Sequence, residues 1–312
     1  MSDNIWHPLQ IKKCDQTPAF KAYREKWESN PQTHTIGDFP LNLDIETTTI
    51  CNLRCKMCYQ SYDPVDKEEM SLALYRKIIK EAEYWKLPAI KFQFRGEPLC
   101  DKRLPQFIEM AKSAGVIETI INTNATLLSN SVGQQLIKAG LDRIICSVDG
   151  YDAATYENIR IGAKFDMVKQ NIADFIKNRG KNEKPYITLR TIKMDNIDPQ
   201  KYQIYWSQYA DQVGYADLVD QTIRENKKPP KDFTCPQLWQ RLIILADGTI
   251  LPCCAAFDGH DIHFKLGNVN NASIHSIWTG EKLNALRELH LQGLSHEVHI
   301  CKHCRFKGFR GL

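Results

Sequence analysis

The octet CNLRCKMC at residues 51–58 limits what this 312-residue chain can fold into more than any other stretch. Its cysteines, Cys51, Cys55 and Cys58, stand in a CxxxCxxC spacing, on a loop able to bring three thiolates around one centre. Three thiolates cannot fill the four iron corners of a cubane cluster, so one iron stays open. A cluster held by four cysteines mostly moves electrons, whereas an open corner can bind a substrate or cofactor and act on it. The spacing alone also admits a chance trio, a zinc site short of one ligand, or a redox CxxC with a bystander. The loop follows LNLDIETTT, whose alternation reads as a strand passing into a loop.

Composition narrows the setting. Forty-one basic against 37 acidic residues leave a net charge of +4 with no basic stripe or tail, which gives no support to nucleic-acid binding. No apolar stretch reaches spanning length, and MSDNIWHPLQIKKCD lacks the basic start and apolar core of a signal peptide, so a cytoplasmic protein without a membrane partner is expected. In that setting the 11 cysteines suggest metal ligation rather than disulfides.

Alternating runs and helical patterns then take turns: LNLDIET, MSLALYRKIIKEAEYW, AIKFQFR, RLPQFIEMAKSAG, ETIINTN, SVGQQLIKAG, DRIICSVD, FDMVKQNIADFIKN and YITLRTIKM. A helix over 201–213 and a weaker strand at 215–221 follow. This is βαβα order with six strands, too few to close an eight-stranded barrel. The expected fold class is α/β, with a partial (β/α)6 barrel over 41–225. Residues 1–40 show no repeated pattern and hold scattered aromatics such as Trp6, Phe20 and Trp27, as a lid or brace across the barrel would. The charged, Pro-containing NKKPPKDF at 226–233 reads as a linker into a small C-terminal domain, 226–312, which opens on a hairpin with an Asp247-Gly248 turn.

Strand alternation also describes the barrel's inside. In AIKFQFR, Ile90, Phe92 and Phe94 should face the outer helices and Lys91, Gln93 and Arg95 the axis. The same phase turns Asp44, Glu46, Asn122, Asn124, Ser147, Asp149, Thr188 and Arg190 inward. Closed barrels usually pack this layer with branched aliphatics, so a polar interior implies a cofactor and a hydrophilic substrate within.

With its cluster loop after the first strand, the chain resembles the radical S-adenosylmethionine enzymes. The resemblance implies that S-adenosylmethionine chelates the open iron of a [4Fe-4S] cluster on Cys51, Cys55 and Cys58. It is then cleaved to a 5′-deoxyadenosyl radical with an electron from a flavodoxin or ferredoxin. Met57 stands where the family often has an aromatic residue, and a thioether can pack against adenine. RGEP at 95–98 resembles the family's GGEP segment, which makes Gly96 and Glu97 cofactor-binding residues. Arg95 replaces the first glycine, so an ordinary φ is expected there, with a side chain that reaches the cofactor's carboxylate or the substrate. TNAT at 123–126, CSVDG at 146–150 and YENIR at 156–160 resemble later family segments. They imply Asn124 near the cofactor, and Ser147 and Arg160 on its carboxylate.

The C-terminal segment, with CPQLWQRLIILADGTILPCC and CKHC, resembles the SPASM and twitch extensions in their short form. That implies a second [4Fe-4S] cluster on Cys235, Cys253, Cys301 and Cys304; spacing alone also admits a four-cysteine zinc site. Adjacent cysteines seldom both ligate one cubane, so Cys254 is left as a candidate catalytic hydrogen-atom donor, although it could pack as a small hydrophobe or exchange roles with Cys253. Cys14, Cys100 and Cys146 read as core or surface thiols. The expected function is hydrogen abstraction from a small hydrophilic, carbohydrate- or aminoglycoside-like substrate, leaning to epimerisation. The alternatives are dehydrogenation of a small polar alcohol with the second cluster as electron acceptor, peptide modification, and a non-catalytic iron–sulfur or zinc protein.

Overall fold

A computed structural model of the chain describes residues 17–217, 233–258, 261–302 and 304. Helix α1 (Pro18–Thr33) starts where the Thr17 hydroxyl accepts from the Phe20 amide and Pro18 fills the first turn. Strand β1 (Asn42–Ile45) leads into the cysteine loop and is followed by α2 (Leu72–Tyr84), β2 (Ala89–Phe92), α3 (Leu104–Ser113) and β3 (Glu118–Thr123). Then come α4 (Asn130–Lys138), β4 (Arg143–Ser147), α5 (Ala153–Ile159), α6 (Phe165–Arg179), β5 (Tyr186–Lys193), α7 (Pro199–Trp206) and β6 (Gln212–Asp217). Ser71, Ser129, Asp152 and Asp198 cap α2, α4, α5 and α7 through their side-chain oxygens, which satisfies amides that open helix ends leave bare.

The six strands β1 to β6 run parallel in chain order, each paired to the next, as the expected partial barrel requires. The sheet does not stop there. From the C-terminal segment, β7 (Arg241–Ile244) pairs parallel with β1, and β8 (Thr249–Leu251) and β9 (Gly267–Asn268) extend it antiparallel into a nine-stranded sheet among the described residues. The β7–β8 hairpin turns at Gly248, whose φ of +87° is the left-handed conformation that Asp-Gly turns use. Helices α8 (Ile274–Trp278) and α9 (Glu281–Leu291) complete the segment.

Three expectations need correction. Residues 18–33 form a regular helix whose Phe20, Tyr23 and Trp27 pack with Leu41 and Ala89 at the start of β1 and β2, so it braces the N-terminal ends of the strands. The helix expected over 201–213 ends at Trp206, passes through a tight turn at Ser207–Tyr209, and gives way to β6 at Gln212. Phe94 does not face the helices. The strand ends at Phe92, alternation lapses, and the Phe94 ring meets Phe257 of the C-terminal segment at 5.6 Å between centroids. Trp6, Cys14, residues 218–221, most of the 226–233 linker and His303 lie outside the described residues.

Candidate functional site

The interior is polar, and its surface pattern follows the strand phase. On β2, β3 and β4 the outward Ile90, Phe92, Ile121 and Cys146 are buried, while inward Lys91, Asn122 and Ser147 are only half-buried, so they line a lumen. Arg190 of β5 is half-buried in the same way. Many of the lumen's charges are paired. Asp44 binds Arg241 at 3.1 Å, Glu46 takes Arg95 through two bonds of 2.6 and 2.7 Å, and Asp149 binds Arg160 at 2.6 Å. Such pairing with completely buried carboxylates fixes geometry, since breaking one partner away strands a charge.

The cysteine loop is tied at both ends. Thr49 Oγ1 donates to the Asp66 carbonyl at 2.6 Å and accepts from the Glu68 amide at 2.8 Å, and the Met70 amide reaches the Thr47 carbonyl, so the Thr run clamps the loop's return. Cys55 sits in a two-residue antiparallel bridge opposite Arg160. The Cys58 amide closes a turn onto the Cys55 carbonyl at 2.9 Å, and Gln60 donates to the Thr49 and Arg95 carbonyls. Burial pushes all three thiols up, and each adds to the rise of a neighbour's through its charge. Cationic iron reverses that trend, because ligation requires the thiolate.

The RGEP turn lies directly on this loop. A Cβ at Gly96 would stand 2.2 Å from the Thr48 carbonyl oxygen and 2.9 Å from that of Ile50, so the glycine is required by close approach of backbones. Arg95 has the ordinary φ expected of it, but its side chain is engaged by Glu46 and stacks over the Phe257 ring at 5.2 Å. Its guanidinium is therefore held between Glu46 and Phe257. Glu97 is buried, and its carboxylate accepts from Thr123 Oγ1 at 2.5 Å, the Asn124 amide at 2.7 Å and the Leu99 amide at 3.1 Å. Burial raises this carboxyl while those bonds oppose the rise.

Asn124 donates to Asn52 at 3.0 Å and accepts from Thr126, which itself accepts from Asn52, so a three-residue ring joins the cysteine loop to the end of β3. Ser147 donates to Asn122 at 3.2 Å. Arg160, held by Asp149, aims Nη1 at the Cys55 sulfur from 3.9 Å. Asp149 also accepts from Thr191 and the Ile192 amide, which anchors it between two strand ends. Alternation signalled that Asp44, Glu46 and Asp149 point inward; their partners were not readable from it.

In the C-terminal segment, Cys235, Cys253, Cys301 and Cys304 line one cavity together with His290 and Ile300. Among the described residues, no three metal-binding groups converge tightly enough for a single ion; these four thiols stand around a larger space. Cys254 does not line the cavity. Burial raises its thiol, the charges of Cys304 and Asp44 add to the rise, and Arg241 and a Gln237 hydrogen bond oppose it, so it lies between the cavity wall and the Asp44–Arg241 pair. Cys146 is buried in the core, and Cys100 lies half-buried near Asn52.

No described helix is long and apolar enough to cross a membrane. Residues 45–201 match the radical SAM superfamily, and residues 235–305 match SPASM, an iron-sulfur cluster-binding domain. A GTP 3',8-cyclase of Chlorobaculum tepidum is 30% identical over 127 residues, which cover 40% of this chain and only 38% of that protein. The S-adenosyl-L-methionine-dependent 2-deoxy-scyllo-inosamine dehydrogenase of Niallia circulans is 22% identical over 84% of this chain and 91% of its own. The crystal structure of BtrN with AdoMet and 2-DOIA has the same fold, with a TM-score of 0.59 at 22% identity over 87% of this chain and 94% of that one. The three-cysteine loop beside the polar lumen and the four-cysteine cavity fit the S-adenosylmethionine and [4Fe-4S] clusters that these domains bind, and the chain belongs to the radical SAM superfamily, with a C-terminal SPASM domain.

Proposed function

We propose that this enzyme removes a hydrogen atom from a small carbohydrate- or aminoglycoside-like substrate in the lumen, and that Cys254 returns one from the opposite face, inverting the carbon. The observation that supports it is that Cys254, unlike Cys253, does not line the four-cysteine cavity, while Arg241 and Asp44 as well as Cys304 act on its buried thiol. In this reading Cys51, Cys55 and Cys58 hold the first cluster, and Cys235, Cys253, Cys301 and Cys304 the second. Gly96, Glu97, Asn124, Ser147 and Arg160 shape the S-adenosylmethionine site, Glu97 and Asn124 by holding its loops together. When bound, the cofactors supply a radical able to take hydrogen from an unactivated carbon and a centre that exchanges single electrons.

The chain's own groups do the rest. Half-buried Lys91 and Asn122 offer hydrogen bonds to substrate hydroxyls and fix which carbon is presented. The S–H bond of Cys254 breaks as the new C–H bond forms, and the sulfur radical left behind needs one electron and one proton to reset. A low-potential donor of flavodoxin or ferredoxin type supplies that electron.

A second reading is two-electron oxidation of a small polar alcohol. It is favoured by the Niallia circulans relative, named a dehydrogenase and matched over most of both chains. There the substrate gives up a second electron and its hydroxyl proton, and Cys254 has no part. Turnover of candidate aminoglycosides and sugars in deuterium oxide separates the two. Inversion places one solvent deuterium at the inverted carbon, and Cys254→Ala still forms 5′-deoxyadenosine while releasing no inverted product. An oxidised product without solvent deuterium, or product at the parent rate from Cys254→Ala, overturns inversion.

A further inference from the structure

His290 stands on the last turn of α9 with 3% of its surface exposed, inside the wall of the four-cysteine cavity. Both ring nitrogens are engaged. The Cys235 amide donates to Nδ1 at 3.3 Å, and Nε2 lies 3.4 Å from the Cys301 sulfur. A nitrogen that accepts a backbone N–H carries no proton, so in the neutral ring the proton sits on Nε2 and points at sulfur. That tautomer has no lone pair at Nε2 for iron. His290 is thus placed as a donor to one candidate ligand and an acceptor for the backbone of another, Cys301 and Cys235, which are 66 residues apart in the chain.

We infer that His290 is a positioning residue of the second cluster, and that its Nε2–H···S bond to Cys301 raises that cluster's reduction potential. This rests on the reading that Cys235, Cys253, Cys301 and Cys304 hold the cluster. Reduction adds negative charge that is shared with the ligand sulfurs, so a donor aimed at one of them stabilises the reduced form more than the oxidised form. The burial of the imidazole strengthens the effect, because water does not compete for the bond. The consequence is a C-terminal cluster that accepts an electron more readily than four thiolates in an apolar wall would allow.

The test is a redox titration of the full-length, reconstituted protein, followed by the spin-resonance signal of the reduced cluster. It is repeated with Cys51, Cys55 and Cys58 replaced by alanine so that the first cluster contributes nothing. His290→Phe keeps the ring's bulk and loses the donor; its reduction equilibrium should fall at least tenfold, about 59 mV for one electron. His290→Gln can place an amide N–H where Nε2 stands and should restore most of that loss. An unchanged potential in His290→Phe overturns the inference. So does loss of C-terminal iron from both variants, which would make His290 a ligand or a scaffold residue. Absence of any C-terminal iron–sulfur signal in the parent protein sinks the cluster assignment itself, a failure distinct from the other two.

Discussion

A methyl group at position 96 would meet three backbone atoms of residues 48–50, the segment that leads into Cys51. Backbone cannot swing aside as the tip of a side chain can, so Gly96→Ala must shift either the turn or the cysteine loop, at about 1–3 kcal/mol. The expected outcome is a folded protein that loses first-cluster iron and S-adenosylmethionine binding while keeping the C-terminal signal. Full iron and unchanged cofactor affinity by calorimetry would show that the loop can accommodate the methyl. Glu97 makes a different prediction. Its two oxygens accept three hydrogen bonds, so in Glu97→Gln an amide N–H₂ must face at least one donor. Leaving a buried donor unpaired costs about 1–3 kcal/mol, and the variant should lose stability of that order in denaturant titration, read without cofactor. A loss of cofactor affinity with stability intact would instead make Glu97 a direct ligand. Alternation told which side chains point into the lumen, Glu46 and Arg95 among them. It did not tell that those two join across 49 residues, because pairing depends on register and rotamer, which a period of two does not contain.

At the scale of elements, the barrel was legible because each strand and helix carries its own periodicity, and α1 was not, because its apolar positions are few. Phe20, Tyr23 and Trp27 fall at helical spacing, but charged and polar residues fill the rest, and the Thr17-Pro18 start is a short signal. What stabilises the helix is tertiary: the three aromatics stack edge to face and close over Leu41 and Ala89. The Gln240 side chain also donates to the Trp27 carbonyl at 2.7 Å, which ties the brace to the residue just before β7. Trp27→Ala removes the largest of these side chains and should cost about 3–5 kcal/mol. The measurement is an unfolding midpoint set beside iron content at low temperature. The brace lies at the strand end remote from the cysteine loop, so iron should stay at the parent level while the midpoint falls. Loss of iron without loss of stability would give α1 a role in the site. The overrun of the helix expected over 201–213 has a local cause. Trp206, Tyr209, Ala210 and Val213 keep helical spacing past the true end, so the apolar pattern overruns the helix, while Trp206 is pinned where its indole donates to the Gly150 carbonyl and Gln212 already pairs in β6.

The molecule as a whole is bound together by the sheet. Parallel pairing of β7 with β1, the Arg241–Asp44 pair and the donation of the Ala246 amide to Glu46 make the strand beside the second cavity the neighbour of the strand that leads to the first. A change at one cysteine is therefore felt through shared strands, and the number of irons held by the whole chain becomes the most direct test of which thiols are ligands. Two cubanes give about eight irons and eight sulfides per chain. Replacing Cys51, Cys55 and Cys58 by alanine should leave about half, together with the C-terminal signal, and should abolish 5′-deoxyadenosine formation. The adjacent pair is the sharper case, because the sequence leaves Cys253 and Cys254 interchangeable, whereas only Cys253 lines the four-cysteine cavity. Cys253→Ala opens a corner of the second cluster and should lower iron toward half or leave a cluster with an altered spin-resonance signal. Cys254→Ala removes a thiol that does not line that cavity and should keep all the iron and the parent signal. If the two variants exchange these outcomes, Cys254 is the ligand and Cys253 the spare thiol. The hydrogen-donor reading then loses its residue, and oxidation of the substrate becomes the outcome that this fold supports.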